Sequence, residues 1–94
     1  MIQSYQDKRT RDFANGKRVK AFQGFDLQAQ RRLTVLEDAT SLEDLMQVSS
    51  NHLEALHGDR QGQLSIRINR QWRICFVWSD ETQAAFDVEI VDYH

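Results

Sequence analysis

The 94 residues are enough for one domain and leave little room for a second, so residues 1–94 are taken as a single domain. The net charge of −2 gives no indication of nucleic-acid binding through bulk positive charge, and the single cysteine excludes an internal disulfide and a zinc site built on thiolates. Because the chain has no long apolar run and no signal-peptide core, we expect a cytoplasmic protein without membrane contact.

The charges are segregated along the chain. Residues 8–20 carry six bases and one acid, residues 37–54 carry five acids and no base, and residues 60–73 carry four arginines. Such a distribution can create local fields of both signs on a nearly neutral protein. The alternative for any one cluster is an ordinary solvated surface.

Three helices are predicted in the first half of the chain. A short helix begins near Asp7 and ends at Asn15-Gly16, and a second runs from about Leu27 to Asp38 with Asp26 as its N-cap. Thr40 to Glu43 has the pattern of a capping box that opens a third helix ending near Gln47. The second helix has an apolar stripe at helical spacing, formed by Phe25, Ala29, Leu33 and Leu36.

From Gln63 onward the apolar residues alternate with a period of two, which predicts three sequential, half-buried antiparallel strands. Residues 53–56 are a candidate further strand and residues 2–5 a candidate edge strand. The predicted fold is α+β, with the helices packed on one face of the sheet. The residues expected on that face are Leu64, Ile66, Ile68, Trp72, Ile74, Phe76, Trp78, Phe86, Val88 and Ile90.

The opposite, polar face of the sheet carries the candidate functional residues. A three-residue loop at residues 69–71 would place Arg67 directly opposite Arg73. Like charges in that position destabilise a sheet by a few tenths to about 1 kcal/mol, so an anion such as phosphate is expected above them. In the alternative interpretation a five-residue turn after Trp78 brings Glu89 beside Arg73, and the arginine is simply paired across strands.

The histidines offer proton-transfer groups but no predicted metal site. His94 follows an apolar strand directly, so we expect Asp92, Tyr93 and His94 to be held at the strand end, although chain termini are usually disordered. A histidine near arginines can act as general acid or base near neutral pH. His57 precedes a turn and has the ordinary alternative of a loop residue. His52, His57 and His94 lack compact ligand spacing.

Four ordered blocks resemble the HigB-type toxins of the RelE/ParE superfamily. They are residues 53–60 (LEALHGDR), 65–69 (SIRIN), 71–76 (QWRICF) and the ending 88–94 (VEIVDYH). The clear resemblance covers about residues 53–94, and the N-terminal helices fit the family in size and order. It implies a compact microbial-RNase-like RelE fold, with N-terminal helices packed on a mainly antiparallel sheet.

The resemblance also implies a function. Such toxins cleave messenger RNA in the ribosomal A site without a metal or other cofactor, and a small helix-turn-helix antitoxin of the HigA type neutralises them. The toxin would meet operator DNA only through that antitoxin. By family position Arg73 and His94 belong to the catalytic set. We expect Arg73 to stabilise the phosphate with help from Arg67, and His94 to transfer a proton, oriented by Asp92. The residues expected to contact RNA are Arg60, Asn69, Arg70, Lys17, Arg18 and Lys20.

Two positions depart from the family pattern. The lysine common before Gly-Asp-Arg is His57 here, and a sheet arginine of some members aligns with Asn69, with Arg67 and Arg70 nearby. These departures keep open an alternative function as a non-catalytic inhibitor, like the gyrase poisons of the same superfamily, since fold alone does not decide activity. An inactive partner-binding domain is the third hypothesis.

Overall fold

The computed structural model describes residues 1–92, which form helices followed by a four-stranded sheet, so the predicted α+β class is confirmed. The α-helices are Lys8–Ala14 (α1), Asp26–Asp38 (α2) and Leu42–Gln47 (α3). The strands are Glu54–Ala55 (β1), Leu64–Arg67 (β2), Arg73–Ser79 (β3) and Ala84–Val91 (β4). Short 3₁₀ turns lie at Lys20–Phe25, Ser49–Asn51 and Gly58–Arg60.

Helix α1 has the predicted ends. The Asp7 carboxylate accepts a hydrogen bond from the Thr10 amide at 3.2 Å, and Gly16 follows the helix with a φ of 90°.

The predicted N-cap of α2 was wrong by one residue: Phe25 is the cap and Asp26 is the first helical residue. The reason is the 3₁₀ turn, which runs directly into α2 and leaves no extended residue at Asp26.

The capping box of α3 is also shifted by one residue. Ser41 rather than Thr40 is the N-cap, and its hydroxyl accepts from the Asp44 amide at 3.2 Å. The Asp44 carboxylate in turn accepts from the Thr40 amide at 3.0 Å. Asp44 therefore takes the reciprocal role that the sequence pattern gave to Glu43.

The sheet is an antiparallel meander in the order β1-β2-β3-β4, as the alternation predicted. Residues 53–56 do supply a strand, but residues 2–5 form only two isolated parallel bridges to β4 instead of an edge strand. The helices cover one face of the sheet. The core between the layers is buried and includes Phe13, Phe22, Leu33, Leu36, Ile66, Ile74, Phe76, Val88 and Ile90.

A β-bulge in β4 changes which side chains face the core. Val77 pairs with Phe86, but Cys75 pairs with Glu89, so β4 has one extra residue between them. Asp87 lies there with a φ of 54°, a left-handed conformation that aspartate tolerates better than most residues. The prediction that Phe86 is buried against the helices was therefore wrong: it lies on the Val77 side, and Ala85 faces the core.

Candidate functional site

The polar face of the sheet carries two neighbouring rows of side chains. Strand pairing places Glu54, Ser65, Cys75 and Glu89 side by side across all four strands. The next row contains Arg67 and Arg73, directly opposite one another as predicted, followed by Val91. We call these the acid row and the arginine row. The two positive charges of the arginine row thus lie beside a row with a carboxylate at each end.

The loop that joins β2 to β3 sets the arginine row. It is the predicted three-residue loop, and Asn69 holds it: its side-chain oxygen accepts from the Gln71 amide at 2.8 Å and the Trp72 amide at 2.7 Å. Short polar side chains commonly stabilise turns in this way. Asn69 thus has a structural role that its assignment as an RNA contact did not anticipate.

Two hydrogen bonds hold the Arg73 side chain on the polar face of the sheet. Its Nε donates to the Ser65 hydroxyl at 2.8 Å, and its Nη2 donates to the His52 carbonyl at 2.6 Å. The Glu54 carboxylate lies 3.8 Å from Nε, and 16% of the Arg73 side chain remains exposed. The guanidinium therefore links the loop at His52 to the sheet and still presents a surface to solvent.

Glu89 does not pair with Arg73, contrary to the alternative raised from the sequence. Ser79 pairs with Ala84, so the turn has four residues instead of five, and the bulge at Asp87 adds a further shift that places Glu89 opposite Cys75. The Glu89 carboxylate accepts from Arg60 at 3.1 Å. Arg60 reaches it from the turn Gly58–Arg60 and also donates to Gln63 at 3.1 Å. The arginine predicted to contact RNA is thus in an ion pair at one end of the acid row.

Arg67 is half-buried and lies across from Arg73. Its Nε donates to the Asn69 carbonyl at 3.1 Å, so the side chain leans toward the loop. Arg70 is exposed in that loop. The loop end of the polar face is therefore rich in guanidinium groups, which suit the oxygens of a phosphate.

The end of β4 meets the same loop. Asp92 follows β4 directly, and its carboxylate accepts from the Gln71 side chain at 2.7 Å. Because Val91 pairs with Arg73, Asp92 lies one residue beyond the arginine row. His94, predicted to transfer a proton, and Tyr93 lie outside the described residues. His57 is exposed just before the turn Gly58–Arg60.

The basic segment containing Lys17, Arg18 and Lys20 is not brought to the polar face. Lys17 and Arg18 line a groove with residues of α1 and α2, in the helix layer that covers the other face of the sheet. Lys17 lies 3.9 Å from the Asp12 carboxylate, and Arg18 donates to Gln23 at 3.0 Å. Any contact that this segment makes with RNA belongs to a different side of the molecule.

Sequence reasoning assigned no role to three side chains of the polar face: Glu54, Ser65 and Cys75. Alternation already placed Ser65 and Cys75 on this face, but the contact of Ser65 with Arg73 is found only in the structure. Within residues 1–92, no three His, Cys, Asp or Glu side chains are grouped to hold a metal ion. None of the helices in that range is long and apolar enough to cross a membrane.

Cys75 lies in the acid row and is almost fully buried. Burial raises the pKa of its thiol to about 11; the guanidinium groups of Arg60 and Arg73 oppose that rise, and the carboxylates of Glu89 and Glu54 add to it. The thiol is therefore protonated at neutral pH and is not a nucleophile there.

The raised pKa of Cys75 predicts a loss of stability at alkaline pH. The unfolded chain releases the thiol proton near pH 9 and the folded chain only near pH 11, so the unfolded state binds fewer protons between these values and the free energy of unfolding falls. Urea denaturation from pH 7 to pH 11 should show wild type losing stability relative to Cys75→Ala above pH 9. Parallel curves for the two proteins would contradict the raised pKa.

The fold is that of YoeB-like toxins of the RelE family. Two solved structures from Staphylococcus aureus match over 100% of this chain and 98% of theirs, each with a TM-score of 0.56. One is a YoeB-YefM complex, at 17% sequence identity, and the other a heterotetrameric YoeB-YefM toxin-antitoxin complex, at 18%. At such identities the likeness concerns the fold alone.

The family follows from the sequence match. The family model described as RelE-like toxin of type II toxin-antitoxin system HigB matches residues 3–94. The chain belongs to this family. Toxin HigB-1 of Vibrio cholerae serotype O1 (strain ATCC 39315 / El Tor Inaba N16961) is 40% identical over 50 residues. That alignment spans about half of each protein, 53% of this chain and 53% of the relative.

Proposed function

We propose that this protein is the toxin of a type II toxin–antitoxin pair and acts as a ribosome-dependent endoribonuclease. It would inhibit translation by cleaving messenger RNA in the A site without a metal. The observation that carries the proposal is the arginine row, since two arginines are paired directly across β2 and β3 on the polar face of the sheet in a member of this toxin family. Its site of action would be the cytoplasm, where ribosomes translate.

The proposed chemistry uses the RNA's own 2′-hydroxyl. Its oxygen attacks the adjacent phosphorus as a base takes its proton, a 2′,3′-cyclic phosphate forms, and the 5′-oxygen leaves with a proton from an acid. Negative charge develops on the phosphate oxygens, and preorganised cations stabilise it most when they are fixed in advance. Arg73 is the proposed stabilising group, with Arg67 opposite it as the assisting cation.

Proton transfer is assigned to the chain end. His94 is the proposed general acid or base because imidazole titrates near neutral pH. Asp92, which already accepts from Gln71 beside the loop, is proposed to orient it. His57 would act where the family has a lysine.

The remaining candidate residues are proposed RNA contacts of different kinds. Arg70 is exposed at the loop, so it suits a phosphate of the message. Asn69 could donate from its amide nitrogen, because its oxygen is used by the loop. Arg60 would share its charge with Glu89. Lys17, Arg18 and Lys20 are proposed to meet ribosomal RNA backbone from the helix side, without reading sequence.

The tethering of Arg73 favours a second candidate, the non-catalytic inhibitor that acts by protein contact. An arginine that joins a loop to the sheet through Ser65 and His52 serves the fold even if it never meets RNA. Two assays with the purified protein separate the candidates. A translating extract reports message cleavage on ribosomes, and a supercoiling reaction reports gyrase inhibition. Fragmented message with unaffected gyrase is the expected result, and the reverse pattern would establish the alternative.

His57 offers a discriminating substitution. If it is an imperfect replacement for the family lysine, His57→Lys should raise the cleavage of ribosome-bound message, since a permanent cation adds charge stabilisation. If it is the working base, the same change should lower the rate and remove an inflection near neutral pH. The pH–rate profile of wild type, His57→Lys and His57→Ala measures this. Equal rates in all three would place His57 outside the mechanism.

The antitoxin is proposed to be a small helix-turn-helix protein of the HigA type encoded beside the toxin. Both the family and the segregated acidic and basic segments support a protein partner. Co-expression with the adjacent reading frame should restore growth and yield a complex on purification, and only the complex should bind operator DNA. Failure to rescue together with failure to co-purify would contradict this pairing.

A further inference from the structure

The guanidinium of Arg73 is held along one of its edges by two neutral oxygen acceptors. Its Nε donates to the Ser65 hydroxyl at 2.8 Å, and its Nη2 donates to the His52 carbonyl at 2.6 Å and lies 3.5 Å from the Ser65 carbonyl. A guanidinium is planar, so two bonds to one edge fix both its position and the direction of its other edge. Within residues 1–92, Nη1 makes no hydrogen bond of this kind, and it is the donor left for an outside anion.

The backbone at His52 is shaped for this contact. His52 has a φ of 46°, in the left-handed region that a residue with a side chain adopts at an energetic cost. It ends the turn Ser49–Asn51, and its carbonyl accepts from Arg73. Asn51, fully buried, anchors the turn by donating from its side chain to the Leu45 carbonyl at 3.0 Å. The acceptor for Nη2 is thus fixed by the fold.

Ser65 supplies the other acceptor from within the sheet. It is fully buried in β2, and its neighbour in the acid row is Cys75. Burying a polar side chain lowers the free energy of unfolding little when the group is hydrogen-bonded, and much more when it has no partner. Because Ser65 is part of β2, its hydroxyl holds the Arg73 guanidinium in a fixed orientation relative to the sheet.

We propose that Ser65 is a positioning residue for RNA cleavage: with the His52 carbonyl it aims the Nη1 edge of Arg73 at the scissile phosphate. The inference rests on the proposed ribonuclease function and adds to it a residue that never touches the RNA. Loss of the Ser65 hydroxyl leaves Arg73 present and charged, but with the hydrogen bond to the His52 carbonyl and the nearby Glu54 carboxylate among its remaining contacts, so the guanidinium is fixed less tightly. Because small errors in the placement of a catalytic group are costly, kcat should fall by up to about 10²-fold. KM should change little, since other surfaces bind the ribosome.

The test compares Ser65→Ala with two matched variants under single-turnover and steady-state cleavage of ribosome-bound message. Ser65→Thr keeps the hydroxyl and should restore most of kcat. Cys75→Ala removes one buried side-chain atom from the neighbouring position in the acid row, as Ser65→Ala does from its own position. It should keep the wild-type kcat. Thermal unfolding of each variant separates the loss of folded protein from the loss of kcat per folded molecule.

A second measurement follows Arg73 directly and does not depend on activity. The Nε–H signal of Arg73, assigned by its absence in Arg73→Lys, should be slow to exchange in wild type and Cys75→Ala and fast in Ser65→Ala. Equal kcat in folded Ser65→Ala and wild type, or a fast-exchanging signal in wild type, would overturn the positioning role. If wild type cleaves no message, the ribonuclease function itself fails, and the positioning role fails with it.

Discussion

Arg73→Ala is expected to lower the rate of ribosome-dependent message cleavage by about 10²–10³-fold, the usual cost of removing one preorganised group that stabilises developing charge. Arg73 stands opposite Arg67, and Ser65 and the His52 carbonyl hold its guanidinium in place, so its charge is fixed before the substrate arrives. Single-turnover cleavage of ribosome-bound message measures the effect, and relief of growth inhibition should accompany it.

Stability must be measured beside the rate, because the same substitution leaves the Ser65 hydroxyl and the His52 carbonyl without their donor. Of these two acceptors Ser65 is the buried one, and a hydrogen bond to a charged group contributes about 1.5–3 kcal/mol. Arg67→Ala is the matched control: it removes the facing cation of the same row, and a smaller loss of rate is expected from an assisting group. Full toxicity in a folded Arg73→Ala protein would contradict the catalytic role and leave the binding inhibitor as the better account.

Deletion of His94 is expected to lower the cleavage rate by about 10²–10⁴-fold, the range that one positioned proton-transfer group contributes. Thermal unfolding of the shortened protein, measured beside the rate, separates a loss of catalysis from a loss of folded protein. Rates measured from pH 5 to pH 9 should show an inflection near neutral pH in wild type that the shortened protein lacks.

His94→Gln is the control for the deletion. Glutamine keeps a polar side chain at the chain end but cannot transfer a proton in this pH range, so its rate should match that of the deletion. A His94→Gln protein with the wild-type rate and pH profile would show that His94 serves in binding alone, and the general acid or base would then have to be sought elsewhere.

Period-two alternation and one short loop were enough to predict the arginine row. The apolar residues of β2 and β3 must share one face, and with three loop residues this leaves a single register, in which Arg67 meets Arg73. The same reasoning gave the meander and the burial of Phe76 and Val88. Strand alternation and loop length depend on residues that are close together in the sequence, which is why they can be predicted from it.

The errors arise where the backbone departs from a regular strand. The bulge at Asp87 turns Phe86 out of the core, and together with a turn of four residues instead of five it moves Glu89 away from Arg73. Alternation has no means of detecting an extra residue within a strand. The contact of Arg73 with the His52 carbonyl depends on a left-handed residue and a loop that returns to the sheet. Neither leaves a pattern in the sequence, so the partners of the arginines could be found only in the fold.

The most direct test of the central claim is cleavage in a defined complex. Ribosomes carrying a message of known sequence, with an empty A site, are incubated with purified toxin, and the message ends are mapped with and without a chelator of divalent metals added after assembly. We expect wild type to cut within the A-site codon and leave a 2′,3′-cyclic phosphate, unaffected by the chelator, and Arg73→Ala to cut at least about 10²-fold more slowly. An intact message with wild type, or equal cutting by the folded Arg73→Ala protein, would contradict the claim that the arginine row of this toxin cleaves RNA.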